Sequence, residues 1–172
     1  MPPRPHARIL LPVRPWFIAL TLFVTLLLNF LPTSDWPWMP DWVALVLIFW
    51  SIHEPRRIGM GAGFLFGLIM DVADASLFGQ HALAYVLATY ASASIARRVS
   101  WFSLDKQALH VLPLLLMVQG AQFLVRAMPD VVLPGLSYFL GPFVGAALWP
   151  LLTFVLLLPQ HQPEQRDENR PI

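Results

Sequence analysis

A chain of 172 residues with 57% hydrophobic and 12% charged side chains, a mean hydropathy of +0.62 and a net charge of +1 lacks the polar surface of a soluble domain, in which about a quarter of residues are charged. Its 11 Lys and Arg are dispersed in small groups between apolar stretches, which excludes the continuous basic face of a nucleic-acid binder. The absence of Cys removes disulfide frameworks, thiolate metal sites and Cys nucleophiles.

The first apolar stretch, Trp16 to Leu31, lies between Pro15 and Pro32 and follows a leader carrying Arg4, Arg8 and Arg14. No small-x-small cleavage site follows it, so it is expected to be a retained anchor and not a signal peptide. Trp42 to Ile52 and Ile58 to Met70 come next. At about 1.5 Å per residue both are short for a hydrocarbon core of about 30 Å. They are expected to borrow flanks, including Trp36 and Trp38, to tilt, or to re-enter on one side. Leu77 to Ala96 and Leu109 to Met128 have full spanning length, whereas Val131 to Leu158 exceeds it and is interrupted by Pro134, Pro142 and Pro150. The expectation is an all-α polytopic membrane protein with about six transmembrane helices, one integral membrane domain over 1–159, and a disordered cytoplasmic tail over 160–172 that lacks apolar content.

The basic residues alternate between these stretches. All except Arg126 fall in every second gap, which includes Arg56, Arg57, Arg97, Arg98 and Lys106, while the acidic residues divide evenly between the two sets of gaps. Topology follows Lys and Arg far more than Asp and Glu. Both termini and the loops holding Glu54, Arg56, Arg57, Arg97 and Arg98 are therefore expected in the cytoplasm. Topology alone accounts for these arginines, although a positive loop also suits acidic partners or anionic lipid at about 1 kcal/mol per residue.

Polar and small residues inside the apolar stretches are the functional candidates. Gly59, Gly63 and Gly67 recur every fourth residue, a bare stripe where another backbone can approach. Packing within the chain is the plain reading and partner docking the sharper one. A ladder of Ala84, Ala88, Ser92 and Ala96 has the same spacing and is expected to face the glycines. Asp71 and Asp74 belong near the outer surface, either as a solvated helix end or, for Asp71, as an acceptor for backbone amides in the turn before Gly79. Gln119, Gln122 and Arg126 share one helical face, oriented toward the bundle or a partner, with Asp130, Asp71 or Asp74 as possible partners for Arg126. His6, His53, His81, His110 and His161 are scattered. No nucleophile with its base and no metal cluster emerges, so neither an enzyme nor a cofactor is expected.

The Glu54-Pro55-Arg56-Arg57 turn before a Gly-rich helix, and the run from Gly67-Leu68-Ile69-Met70-Asp71 to Leu77-Phe78-Gly79-Gln80-His81-Ala82, resemble the rod shape-determining protein MreD family over nearly the whole chain. Ala75 departs from the pattern, which has Gly in that turn. The resemblance implies a non-enzymatic inner-membrane member of the elongation machinery of rod-shaped bacteria. It would act with an MreC-like periplasmic protein, an MreB-like filament, and a glycosyltransferase and transpeptidase pair. It also implies a fold similar to the substrate-binding subunits of energy-coupling-factor transporters. The alternative is a small-molecule-binding membrane transport subunit, which a deep pocket lined by Trp36, Trp38 and Gln122 would favour; an outer surface filled by side chains would favour the scaffold.

Overall fold

The computed structural model describes residues 13–31, 36, 38–128 and 135–160, and their regular structure is all helical. The helices are α1 (Pro15–Asn29), α2 (Trp42–His53), α3 (Met60–Ala73), α4 (Gln80–Val99), α5 (Leu104–Arg126) and α6 (Leu140–Leu157). A 3₁₀ turn, Leu136–Phe139, leads into α6, and another, Leu158–Gln160, follows it. Local chemistry sets several of these bounds. Pro15 opens α1, where a missing N–H costs nothing. The Asp41 side chain accepts from the Ala44 amide and caps α2. Arg97 and Arg98 lie in the last turn of α4, where the helix dipole favours positive charge.

Successive helices reverse direction and give the bundle two unlike ends. Arg14, Glu54, Arg56, Arg57, Arg97, Arg98 and Lys106 mark one; Asn29, Asp41, Asp71, Gln80 and Arg126 mark the other. At the basic end, Arg57 pairs with Glu54 at 3.7 Å and donates to the Val13 carbonyl, while Arg56, Arg97 and Arg98 are exposed.

The core is α2. Every residue from Val43 to Ile52 is buried, and the helix touches α1, α3, α4, α5 and α6. Its brevity now has a physical reason. At about 18 Å it is short for a lipid-exposed span, but its neighbours cover its flanks on all sides. Its large side chains lock into them: Trp50 donates to the Thr21 hydroxyl at 2.9 Å, and Phe49 packs against Trp149 with ring centroids 5.7 Å apart. Trp149 in turn donates to Gln107.

The outward faces are as apolar as the core. Phe23 on α1, Leu65 on α3, Leu124 on α5 and Phe154 on α6 are each more than half exposed. Such faces would be costly in water and suit a hydrocarbon surround. Among the described residues, Leu104–Arg126 and Leu136–Gln160 are long and apolar enough to cross a membrane unaided, whereas α1, α2 and α3 are shorter apolar helices. The sixth predicted stretch thus divides into a 3₁₀ entry and a helix that contains Pro150. Of the predicted tail, Gln160 is buried and donates to Leu156, and the remainder lies outside the described residues.

The closest helix approach is between α3 and α4. A Cβ on Gly63 would come 2.7 Å from the Tyr85 carbonyl oxygen, and one on Gly67 would lie 2.5 Å from the Ala82 nitrogen. Gly59 is different, with nothing within 4 Å of that position. The residues opposing the glycines are Ala82, Tyr85 and Thr89. Ala84, Ala88 and Ser92 are buried too, but on a face rotated away from the seam. The expected pairing of the two small-residue ladders is therefore corrected. Steps of three and four residues along α4 follow the neighbour's crossing line, which a strict spacing of four does not.

Candidate functional site

The seam ends in a turn built around Asp71. This carboxylate is 2% exposed, so it is not a solvated helix end. One oxygen accepts from the His81 amide at 2.7 Å, the His81 ring Nδ1 at 3.0 Å and the Ser76 hydroxyl at 3.1 Å. The other accepts from the Gly79 amide at 2.8 Å and the Ala82 amide at 3.4 Å. The first turn of a helix has N–H groups without intrahelical acceptors. Asp71, held on α3, satisfies those of His81 and Ala82 in α4, and its negative charge sits at the positive end of the α4 dipole. The intervening turn places Ala75 at φ +47° and Gly79 at φ +95°. The left-handed conformation at Ala75 explains physically why glycine suits that position.

A second carboxylate joins four helices. Asp41 accepts from Asn29 at 3.2 Å, from the Ala44 amide at 3.0 Å, from the Tyr85 hydroxyl at 2.7 Å and, more weakly, from Gln122 at 3.5 Å. These donors come from α1, α2, α4 and α5. Asn29 reinforces the junction by accepting from the Trp42 amide.

Above this junction the helix ends diverge around an open cavity of about 950 Å³. Its floor includes Asp41, Met70 and His81; Gln119, Gln122 and Arg126 form the α5 wall. Asp74 and Ala73 line the α3 side, Tyr138 the side preceding α6, and Phe30, Trp36 and Met39 contribute apolar surface. The α5 face of two glutamines and an arginine thus borders open space. Tyr138 donates to Gln122 at 2.9 Å. Arg126 is held by its Nε, which donates to Gln80 at 3.2 Å, and its guanidinium carbon stands 5.7 Å from the Tyr138 ring centroid.

Arg126 is not the ion-pair partner of Asp71, whose oxygens are occupied by the turn. Of its other predicted partners, Asp130 lies outside the described residues and Asp74 makes no salt bridge with it. Asp74 also lines the cavity, 42% exposed, with the His81 Nε2 at 3.6 Å. Burial raises its carboxyl above the usual range; Asp41 and Asp71 add to the rise, and His81 and Arg126 oppose it.

Sequence reasoning missed Asp41, Gln80 and His81 as members of this site. Asp41 was legible as a helix cap, an acid directly before an apolar run. That the same carboxylate gathers Asn29, Tyr85 and Gln122 required the tertiary arrangement. The deep pocket expected of a binding subunit is present in part, since Trp36 and Gln122 line it. Trp38 is stacked on Trp36 at a centroid distance of 5.2 Å and does not line the cavity.

Comparison with known proteins places this chain in a family. No solved structure matches the chain. The chain is 31% identical over 144 residues to the rod shape-determining protein MreD of Haemophilus influenzae, an alignment covering 78% of this chain and 85% of that protein. The family model described as rod shape-determining protein MreD matches residues 8–159. With that match across most of its length and apolar helices suited to a bilayer, the chain belongs to the MreD family of rod shape-determining membrane proteins.

Proposed function

We propose that this protein is an integral membrane scaffold of the cell-elongation machinery, maintaining rod shape by linking cytoplasmic actin-like filaments to periplasmic peptidoglycan synthesis. Family membership over residues 8–159 is the observation that carries this reading. The division of charge between the two ends supports an orientation: basic loops inward, both termini cytoplasmic, and Arg126 as the one described cation at the outer end. In this reading residues 1–159 form a single bacterial inner-membrane domain that acts without a cofactor or a catalytic centre. Arg56, Arg57, Arg97 and Arg98 would attract an MreB-like filament or anionic lipid, and the outer end would meet an MreC-like protein and the glycosyltransferase and transpeptidase pair.

Depletion in the native host tests the role, with cell shape followed by microscopy and wall growth by labelled precursor. Rounding with delocalised wall synthesis, restored by the intact chain, is the expected result. Rods that keep their shape and growth pattern would overturn the scaffold.

The cavity supports a second reading, in which the outer end also binds a small molecule, as a membrane transport subunit would. A cavity of about 950 Å³ lies within the size range of small-molecule sites. The kinship to energy-coupling-factor subunits rests on the family resemblance alone.

A further inference from the structure

The cavity contains two opposite charges, Arg126 and Asp74, whose binding capacity the other described residues leave unused. Asp41 and Asp71 do not belong to this pair, because Asp41 accepts four hydrogen bonds and Asp71 five. Arg126 commits its Nε to Gln80, and among the described residues its terminal nitrogens have no carboxylate within 4 Å. Asp74 accepts no hydrogen bond from any described residue; the His81 ring Nε2 stands 3.6 Å away. Both residues line the same cavity and feel each other's charge, yet they do not close into a salt bridge. A guanidinium offers a planar fork that matches a carboxylate bidentately, and a half-exposed carboxylate accepts an ammonium. Gln119 on the same lining adds neutral hydrogen bonding, and Trp36 and Phe30 supply apolar surface.

We propose that this cavity binds a zwitterionic α-amino acid, with its carboxylate on Arg126, its ammonium on Asp74 and an apolar side chain against Trp36 and Phe30. Both heads are required because each wall alone is a weak, water-screened charge, whereas a ligand spanning the cavity satisfies both. Tyr138 holds the arginine in place through its ring, and Gln80 does so through the Nε. The inference rests on the small-molecule reading above and is independent of the scaffold role.

The test uses the full chain in lipid nanodiscs and isothermal titration with leucine, its amine-only analogue isoamylamine, its acid-only analogue 4-methylpentanoate, and inorganic phosphate. Leucine is expected to bind, and each single-headed analogue to bind at least about tenfold more weakly. Arg126→Gln and Asp74→Asn should each lower leucine affinity by a similar factor, with Arg126→Lys falling between, while thermal unfolding without ligand certifies that each variant is folded. Since the chain has no native Cys, Ala73→Cys on the α3 side of the cavity gives a single reporter whose maleimide labelling from the outer side leucine should slow. Binding of an analogue or phosphate in place of leucine, or leucine binding indifferent to both Arg126→Gln and Asp74→Asn, would overturn the zwitterion and leave a small-molecule site standing. Absence of binding by all four probes would overturn the zwitterion, and together with an unlabelled Ala73→Cys variant it would overturn the small-molecule site as well.

Discussion

Asp71 and Asp74 lie three residues apart at the end of one helix and have opposite surroundings. Asp71 is enclosed by the α3–α4 seam, where glycine lets two backbones meet and backbone amides, a serine and a histidine surround one carboxylate. Asp74 faces a cavity in which hydrogen-bonding and charged groups remain available. The contrast shows how one end of the bundle can be both rigid and receptive. The seam removes conformational freedom from the wall that carries Asp74, so the cavity beside it can stay open without the helix ends collapsing into it.

Asp71→Ala tests the rigid half most severely. It leaves the buried amides of His81 and Ala82 and the part-buried amide of Gly79 without their acceptor, at roughly 1–3 kcal/mol per unsatisfied buried group. Thermal unfolding in detergent should show a total loss of about 3 kcal/mol or more, whereas Asp74→Ala should leave the midpoint almost unchanged. Equal losses would erase the distinction between the two aspartates. Gly67→Ala comes next, since its new Cβ meets backbone and forces the helices apart, an overpacking cost of about 1–3 kcal/mol. Gly59→Ala, with free space around it, should stay within about 0.5 kcal/mol of the parent; the replacement of Gly63 by Leu belongs with Gly67 and should reduce expression and stability before it affects any partner.

Ala75→Gly is expected to act in the opposite direction and more gently. Releasing a left-handed alanine gains about 1–2 kcal/mol, and the added freedom of the unfolded chain takes back about 0.4–1 kcal/mol. A rise of about 0.5 kcal/mol in chemical unfolding is the expected net. A loss would place the turn's strain elsewhere. The smallest effect concerns pH. Because the folded Asp74 carboxyl titrates above its unfolded value, its protonation favours the fold. That contribution is fully present below the unfolded pKa and disappears as pH rises through the folded one. Asp74→Asn should therefore flatten a slight stability decline across that acidic window, measured as unfolding midpoint against pH.

The sequence reveals the membrane character, the order of the helices and the division of basic residues, because each depends on local composition. The face shared by Gln119, Gln122 and Arg126 is legible from spacing, and so is a structural role for Asp71 in the turn before Gly79. Other features depend on how helices cross. Spacing alone pairs Gly63 with the Ala84 ladder, yet the seam selects Tyr85 and Thr89. His81 shows no ligand-like neighbour along the chain, but the turn brings it to both Asp71 and Asp74. Hollow space is the least legible property, since a cavity depends on where several helix ends fail to meet.

Enclosure of α2 has a genetic consequence. A helix with one face in lipid tolerates substitution every three or four positions, so a saturation scan of α1 or α5 should rise and fall with the helical repeat. From Val43 to Ile52 no side has slack, and the tolerance profile there should be uniformly low and without period. In a population of natural variants, this short segment would appear as an unbroken block of constraint, easily mistaken for a binding motif although its constraint comes from packing.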